Sequence, residues 1–587
     1  MQVPGPRAVD DNAPLANAKP PAGCDRRGFL KWTAAVGAAA GLAEVAGPNR
    51  RSLADGLGTV LTPQQEASRF LAQCTFGGDR ALIDEVAATG MEAWLDAQLA
   101  LPPTLTLSEV QQMIEGGELD EFELLLFDWR WWQHAMTAPD VVRHRVAFAL
   151  SQIFVVSRFI DILYDSSQAT AAYYDVLARH AFGNFRDLLL DVALQPSMGI
   201  YLSHLWNRRS DPTLNRFPDE NFAREVMQLF SIGLFELNAD GSRVLNGSGQ
   251  PIPTYTNAEI TEMAKIFTGL TLAPFEPDEP IIFGDDNGNL WTPMVMYEPE
   301  HEPGPKTLLN GFVVPEGQTG MEDIEMTVDH LFQHPNVGPF LGRLLIQRLV
   351  TSNPSPAYIS RVSAAFADNG SGVRGDMAAT IRAILMDPEA RDASRIDDPH
   401  FGKAREPFTR WVQLGRAFHA TSPSGQFRYF GAAPPDDAPE GIEMTALAQY
   451  PFFSPSVFNF YSPTHQPAGP LTDAGLVAPE LQIIHSYTSV SAANLFYRAI
   501  VEYDYLTDEL DNETIELDLI TEIELVEAMG PAALIDHLDL LLTYGTLFAA
   551  SRGFLLDAIL PLSEEPEEQV RLALFLFTTC PEYAVQR

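Results

Sequence analysis

The feature that most constrains the fold is the recurrence of apolar residues at helical spacing through most of the chain. Over residues 64–232, and again over 323–419 and 478–580, apolar side chains return every three or four positions, with breaks at Gly90 and Pro139. This spacing places apolar side chains on one face of a helix, where they pack against neighbouring helices. The pattern predicts a mainly α fold, a large multi-helix body.

Three stretches interrupt this pattern. Residues 238–256 contain two turn-rich sequences around short β-prone pieces, which predicts a hairpin insertion. Residues 271–318, rich in Pro and Gly, and residues 421–480, rich in aromatic residues, lack helical periodicity and are expected to form irregular loops. No internal repeat is evident, so we expect residues 55–587 to form a single large helical domain that carries these loops, preceded by residues 1–54.

The N-terminus resembles an export signal. Arg26 and Arg27 precede Gly-Phe-Leu-Lys, and an Ala/Gly-rich stretch follows from Thr33 to about Gly47. This arrangement is similar to the twin-arginine (Tat) consensus, and the stretch suits a signal peptide because it is too short and too weakly apolar to span a bilayer. An ordinary helix behind two arginines is the alternative. We expect residues 1–54 to be a signal peptide and linker that direct the chain, through the Tat translocase, to the periplasm or the extracellular medium.

Composition narrows the function classes. The chain has 587 residues, with 78 acidic and 38 basic side chains, and only five of the bases are lysines. A net charge of −40 disfavours binding to nucleic acid and to anionic lipid. Three cysteines exclude a disulfide scaffold, and the common zinc, nucleotide and serine-hydrolase motifs are absent. We therefore expect no nucleic-acid partner, no metal site and, in the mature form, no membrane span; no particular cofactor is indicated.

A polar stripe marks residues 219–233. On a helix that turns about 100° per residue, Asn221, Arg224, Glu225 and Gln228 share one face, and apolar side chains occupy the other. One hypothesis is that the stripe lines a buried pocket, where Glu225 acts as an acid or base and the other three bind a ligand. The alternative is a solvated helix face.

A second candidate is a rigid turn in the 271–318 loop. His301 and Lys306 flank a Pro-Gly-Pro sequence, and a histidine there could act as a base while the lysine pairs with an anion. We expect this turn to fold onto the polar helix, with Glu225 as the carboxylate partner of Lys306 and Asp219 or Glu220 as alternatives. An ordinary turn with surface charges is equally compatible with the sequence.

Two further constellations have ordinary alternatives. His330 and His334 have a spacing that could hold a metal, but they suit a helix end just as well, so we assign no metal to them. Arg143 and Arg145 open a strongly apolar helix. They could form an anion clamp or buried ion pairs, and ion pairs are the favoured interpretation.

Taken together, these blocks resemble a bacterial family named domain of unknown function 1800. The most specific block is the helix motif Asp-Glu-Asn-Phe-Ala-Arg-Glu-Val-Met-Gln-Leu-Phe-Ser-Ile-Gly at 219–233. The likeness runs from about residue 64 to the C-terminus. The resemblance implies export and a mainly helical fold, and it implies no particular reaction. The matching stretches are 69–77, 143–152, 173–185, 196–202, 219–233, 267–269, 301–311, 334–340, 403–407 and 451–459.

The resemblance also suggests a partner. Members of this family are often encoded beside a second exported family, domain of unknown function 1501, which resembles alkaline-phosphatase-like hydrolases. The first functional hypothesis is therefore a Tat-exported helical binding or accessory protein that acts with such an exported partner. The alternative is an exported hydrolase-type enzyme with a polar pocket built from the 219–233 helix and the 301–306 loop. A cofactor-bearing redox protein is suggested only by the Tat route, which carries proteins that have already folded.

Overall fold

A computed structural model describes residues 60–116, 125–285, 288–427, 429–430, 446–502 and 514–587. The export signal with Arg26 and Arg27 lies outside the described residues, as does part of the 421–480 insertion. Helices dominate the described part and strands are confined to two-residue pairs, which confirms the prediction of a mainly α fold with short β insertions.

The first half of the chain contains twelve of these helices. They are α1 (Pro63–Cys74), α2 (Arg80–Thr89), α3 (Met91–Ala100), α4 (Leu107–Glu115), α5 (Leu126–Thr137), α6 (Val141–Ser151), α7 (Asp161–Tyr164), α8 (Ser167–His180), α9 (Phe185–Leu194), α10 (Pro196–Tyr201), α11 (Asn221–Gln228) and α12 (Asn257–Ile266).

The second half continues the bundle after the 271–318 loop. Its helices are α13 (Gly320–Phe332), α14 (Val337–Leu349), α15 (Pro356–Ala367), α16 (Met377–Leu385), α17 (Pro388–Arg391), α18 (Pro407–Ala417), α19 (Pro470–Asp473), α20 (Ser486–Ile500), α21 (Ile520–Met529), α22 (Pro531–Thr543), α23 (Ala549–Ile559), α24 (Pro566–Thr579) and α25 (Pro581–Ala584).

The strands form four separate two-stranded sheets. The antiparallel pairs are β1 (Leu270–Thr271) with β2 (Val295–Met296), β3 (Lys306–Thr307) with β4 (Val313–Val314), and β5 (Lys403–Ala404) with β8 (Val585–Gln586); β6 (Tyr429–Phe430) pairs in parallel with β7 (Thr514–Ile515). The predicted hairpin at 238–256 is a series of isolated antiparallel bridges within residues 235–253.

Local sequence explains where several helices begin. Thr62 caps α1 by accepting a hydrogen bond from the backbone of Gln65, whose side chain bonds back to Thr62, and Pro63 occupies the first turn. Thr256 and Thr319 begin α12 and α13 in the same reciprocal way. Each such cap satisfies backbone N–H groups that have no partner inside the helix.

One continuous cluster of buried apolar side chains runs from Ala67 to Tyr583, so helices far apart in sequence share a core. The last strand closes this arrangement, because β8 pairs with β5 directly beside Gly402. Gly402 has a φ of +112°, and a β-carbon there would lie 2.4 Å from the Gln586 carbonyl oxygen. In the described parts of the chain, every helix is too short or too polar to cross a bilayer.

Candidate functional site

The polar helix is shorter than the sequence pattern predicted. Regular helix spans only Asn221–Gln228, because Asp219 Oδ1 accepts the Asn221 N–H at 2.8 Å and the chain leaves helical geometry before Gly233, which has a φ of +72°. The four residues of the predicted polar stripe differ in how far they are exposed to solvent. Asn221 is exposed, Arg224 and Gln228 are half-buried, and Glu225 is buried with 5% of its surface exposed.

Glu225 is the unusual member of this helix. Its Oε2 atom is buried and has no hydrogen-bond partner, while the nearby Arg224 guanidinium lies 3.6 Å from Glu220 instead. Burial raises the pKa of Glu225, and the charge of Arg224 opposes this only in part. A carboxyl in this condition holds its proton to higher pH than usual and accepts or donates a hydrogen bond readily.

Two tyrosines lie near Glu225. Burial raises the pKa of Tyr201 to about 12, with Ser454 opposing the rise and the Glu225 charge adding to it. Burial likewise raises the pKa of Tyr255 to about 12, again with a contribution from Glu225. The Tyr255 hydroxyl donates a hydrogen bond to Gln228 Oε1 at 3.2 Å.

We call five neighbouring residues the Glu225 cluster: Tyr201, Arg224, Glu225, Gln228 and Tyr255. The sequence predicted Arg224, Glu225 and Gln228 as site residues. Sequence reasoning missed both tyrosines. Tyr201 lies in the family-like stretch 196–202, and this resemblance was the one sequence feature that could have identified it. Tyr255 follows the hairpin insertion and carried no such signal.

The structure places His301 and Lys306 in a different buried cluster, centred on Asp323. His301, Lys306 and Asp323 are at most 3% exposed. Lys306 Nζ donates to Asp323 Oδ2, and His301 Nε2 lies 3.0 Å from the same oxygen. His301 Nδ1 also bonds to the Thr268 carbonyl oxygen at 2.9 Å. Burial would raise the pKa of Asp323, but the hydrogen bonds from His301 and Lys306 outweigh it and hold the pKa below its usual value.

This geometry corrects the expected partner of Lys306. The lysine meets a specific carboxylate, as the rigid turn suggested, but that carboxylate is Asp323 on α13 rather than Glu225, Asp219 or Glu220. Within the described residues, no hydrogen bond or ion pair joins His301 or Lys306 to Glu225. The cluster therefore fastens the 271–318 loop to α13.

The remaining sequence candidates have structural partners. His330 Nε2 bonds to the Leu309 carbonyl oxygen at 3.0 Å, and His334 Nδ1 accepts the Asn336 N–H at 3.2 Å. In the parts of the chain that the structure describes, no group of three acidic, His or Cys side chains could hold a metal. Arg143 fits the favoured ion-pair interpretation, because its Nε lies 3.4 Å from Asp140.

A cavity of about 600 Å³ opens beside α4 and α5. Its lining includes Glu109, Arg130 and His134, and His134 Nε2 lies 3.1 Å from Glu109 Oε2. The hydrogen bond from His134 is the largest contribution that lowers the pKa of Glu109. The sequence-predicted site residues lie outside its lining.

Comparison with known proteins identifies the family. A search of curated proteins and a search of solved structures found no match. A family model described as "TAT (twin-arginine translocation) pathway signal sequence" matches residues 23–43, so the chain is exported across the cytoplasmic membrane. A second family model, described as "Protein of unknown function (DUF1800)", matches residues 69–585. Because that match covers most of the chain, the protein is a Tat-exported member of the DUF1800 family.

Proposed function

We propose that this protein is an exported binding protein, folded as one large domain, whose ligand binds at the Glu225 cluster. The observation that carries the proposal is the buried Glu225 carboxyl, whose Oε2 atom has no hydrogen-bond partner. Buried polar atoms in folded proteins are nearly always hydrogen-bonded, so this oxygen is available to accept a hydrogen bond from a ligand.

The composition of the Glu225 cluster favours a hydroxyl-rich ligand. Glu225 offers a carboxyl oxygen, the half-buried Arg224 and Gln228 offer further polar groups, and Tyr201 and Tyr255 offer aromatic surface with hydroxyl tips. Sites of this kind hold a ligand by apolar contact and orient it by a few placed polar groups. A short oligosaccharide presents the matching combination of ring faces and hydroxyls.

The proposal is tested by calorimetric titration of the mature protein with neutral cello-, malto- and chito-oligosaccharides. We expect saturable binding of at least one series, and at least a tenfold weaker affinity for Glu225→Gln, since the substitution changes the group that contacts the ligand. Glu85→Gln, at an exposed position on α2, is the control and should bind as the wild type does. Equal affinity for the wild type and Glu225→Gln, or no binding in any series, would refute this assignment.

One observation favours a second candidate function, an exported hydrolase-type enzyme. The raised pKa of Glu225 suits a general acid, which must hold its proton near the working pH. In that proposal Glu225 protonates a leaving group, Asn221, Arg224 and Gln228 bind the substrate, and His301 and Lys306 position the 271–318 loop. Hydrolysis of the bound oligosaccharide by the wild type, lost in Glu225→Gln, would favour the enzyme over the binding protein.

We further propose a periplasmic or extracellular location and an exported partner. The Tat signal supports the location, and the partner, an alkaline-phosphatase-like member of the domain of unknown function 1501 family, follows only from the gene neighbourhood that the family resemblance suggests. Cell fractionation distinguishes periplasm from medium. Sedimentation of the mature protein mixed with a purified member of that second family tests the partnership, and unchanged sedimentation of both components would count against it.

A further inference from the structure

A third buried polar cluster, which shares no residue with those around Glu225 and Asp323, lies where α6, α14 and the start of α18 meet. Every ionisable side chain in it is at most 5% exposed. Its members come from segments far apart in sequence, and several belong to the family-like stretches 143–152 and 403–407. We call it the cationic cluster, and its charged residues are Arg145, Arg348, Lys403, Arg405, Glu406 and Glu480.

The two carboxylates of this cluster are shared by one lysine. Lys403 Nζ lies 3.2 Å from Glu480 Oε1 and 3.5 Å from Glu406 Oε2, and it donates to the Arg348 carbonyl oxygen at 3.0 Å. The other Glu406 oxygen accepts a hydrogen bond from the Tyr461 hydroxyl at 2.6 Å. Glu406 therefore bonds to Tyr461 and pairs with Lys403, whereas Glu480 has the charge of Lys403 nearby but, in the described part of the chain, no hydrogen-bond donor on either oxygen.

The arginines lack comparable partners. Arg145 donates to the Arg348 carbonyl oxygen, and Arg405 donates to the Gln413 side chain. The Arg348 guanidinium lies over the Tyr461 ring at 4.5 Å, and its Nε and Nη1 atoms are buried without a hydrogen-bond partner. Among the described residues, none of the three arginines forms an ion pair with a carboxylate.

The charge in this cluster does not balance. Four cations face two carboxylates, in a chain whose acids outnumber its bases by 78 to 38. Burial raises the pKa of Glu480, with neighbouring Glu406 adding to the rise and Lys403 opposing it, whereas, despite burial, the charges of Lys403 and Arg145 hold the pKa of Glu406 below its usual value. An uncompensated buried charge costs several kcal/mol, so a surplus of positive charge here requires an anionic partner.

We propose that the cationic cluster binds a small oxyanion of the phosphate, sulfate or carboxylate class, held by the unpartnered donors of Arg348 and by the charges of Arg145 and Lys403. Arginine is the residue best suited to such anions, because its guanidinium presents several fixed N–H donors. The inference is independent of the Glu225 cluster. It also returns to the anion-clamp alternative for Arg145, for which ion pairing was the favoured interpretation.

The burial of the site determines when the anion enters. Because Arg348, Lys403 and Glu480 are all at most 3% exposed, the anion is enclosed as the chain folds. The Tat route carries proteins that are already folded, so the anion is acquired in the cytoplasm and exported with the protein. Exchange with anions in the medium should then be slow in the folded protein.

The test is the anion content of the full exported protein, purified in chloride buffers without phosphate, sulfate or carboxylates. Native mass spectrometry, and ion chromatography after denaturation, should find about one oxyanion per chain, and the chromatogram distinguishes phosphate from sulfate and from a carboxylate. Arg348→Met should reduce this content at least tenfold. Arg343→Met, a control on the same helix outside the cluster, should leave it unchanged.

A second measurement keeps the proposal falsifiable where Arg348→Met fails to fold. Wild-type protein refolded with about 1 mM of the oxyanion that the chromatogram identifies should melt at a higher temperature than protein refolded in the same chloride buffer without it, since a ligand that binds only the folded state stabilises it. An oxyanion content below about one tenth per chain in the folded wild type, or melting temperatures that are equal with and without the added oxyanion, would overturn the proposal.

Discussion

At the scale of single residues, burial decides what a charge does in this protein. Lys265 and Lys306 are both paired with carboxylates, but Lys265 and its partner Glu262 are about a quarter exposed, whereas Lys306 and Asp323 are at most 2% exposed. Removing one partner of a buried ion pair leaves the other charge buried without compensation, which destabilises the fold. Removing one partner of an exposed pair changes little.

The two lysines therefore make a matched test. Lys306→Met should lower the free energy of unfolding by about 3–5 kcal/mol, because it leaves Asp323 buried and short of a partner. Lys265→Met should change the same quantity by less than about 0.5 kcal/mol. Urea denaturation of both variants measures this. Equal effects would contradict the assignment of Lys306 to the Asp323 cluster.

The low pKa of Asp323 gives this cluster a defined pH dependence. Because the folded pKa lies below the unfolded value of about 3.9, the stabilisation is fully present above that value and is lost as the pH falls through the folded pKa. Asp323→Asn should therefore destabilise the protein at about pH 7, and its deficit should shrink below about pH 4. A deficit that stays constant from about pH 7 to about pH 3 would contradict this account.

Residue-scale prediction from the sequence succeeded where the signal was local. The 3.6-residue period identified Glu225 as part of a polar stripe, but it could not show that Asn221 is exposed and Glu225 buried, since that depends on what packs against α11. Asp323 was missed as the partner of Lys306 because nothing in the sequence brings α13 next to the rigid turn.

At the scale of elements, periodicity and caps predicted most helices, and the errors lie at their ends. Residues 219–232 were expected to form one helix, yet regular helix stops at Gln228. The last residues continue to turn, with the Ile232 and Gly233 N–H groups donating to the Met227 carbonyl oxygen. The apolar period persists through such a turn, so it cannot locate the helix end.

The contact between β5 and β8 provides a prediction at this scale. Gly402→Ala forces a residue with a β-carbon into a φ of +112° and against the Gln586 carbonyl oxygen. Gly370→Ala is the matched control, because its φ is +90° and no atom lies within 4 Å of the added carbon. We expect about 1 kcal/mol of destabilisation for Gly370→Ala and about 1–3 kcal/mol more for Gly402→Ala.

Unfolding by urea gives both values. Equal losses for the two alanine variants would show that the C-terminal strand does not pack against Gly402 as described.

At the scale of the whole molecule, the sequence predicted the fold class and the export of the protein better than it predicted the chemistry of its sites. Helical periodicity along most of the chain could only produce a mainly α protein, and a family match over residues 69–585 agrees with the resemblance found from the motif blocks. The cationic cluster was not predicted, because Arg145, Arg348 and Glu480 come together only through the tertiary fold.

Export depends on two residues outside the described part of the chain. Replacing Arg26 and Arg27 with Lys together should leave the protein in the cytoplasm, because the paired arginines are what the Tat signal presents. Cell fractionation followed by immunoblotting measures this, with Lys31→Arg as a control that should still be exported. Normal export of the double variant would contradict the assignment.

The central claim is that Glu225 is a buried carboxyl whose Oε2 atom has no hydrogen-bond partner among the residues that the structure describes, and the pH dependence of unfolding tests it most directly. The measurement is the difference in unfolding free energy between Glu225→Gln and the wild type from about pH 4 to about pH 8, with the exposed Glu85→Gln as the control. Because the folded pKa is raised, the wild type loses stability as the pH rises through the unfolded value of about 4.3 towards the folded one. Glu225→Gln should therefore be more stable than the wild type near neutral pH, with the gain vanishing towards about pH 4. A variant that is less stable than the wild type near neutral pH, or a difference that does not depend on pH, would show that Glu225 has an internal partner and would contradict the account.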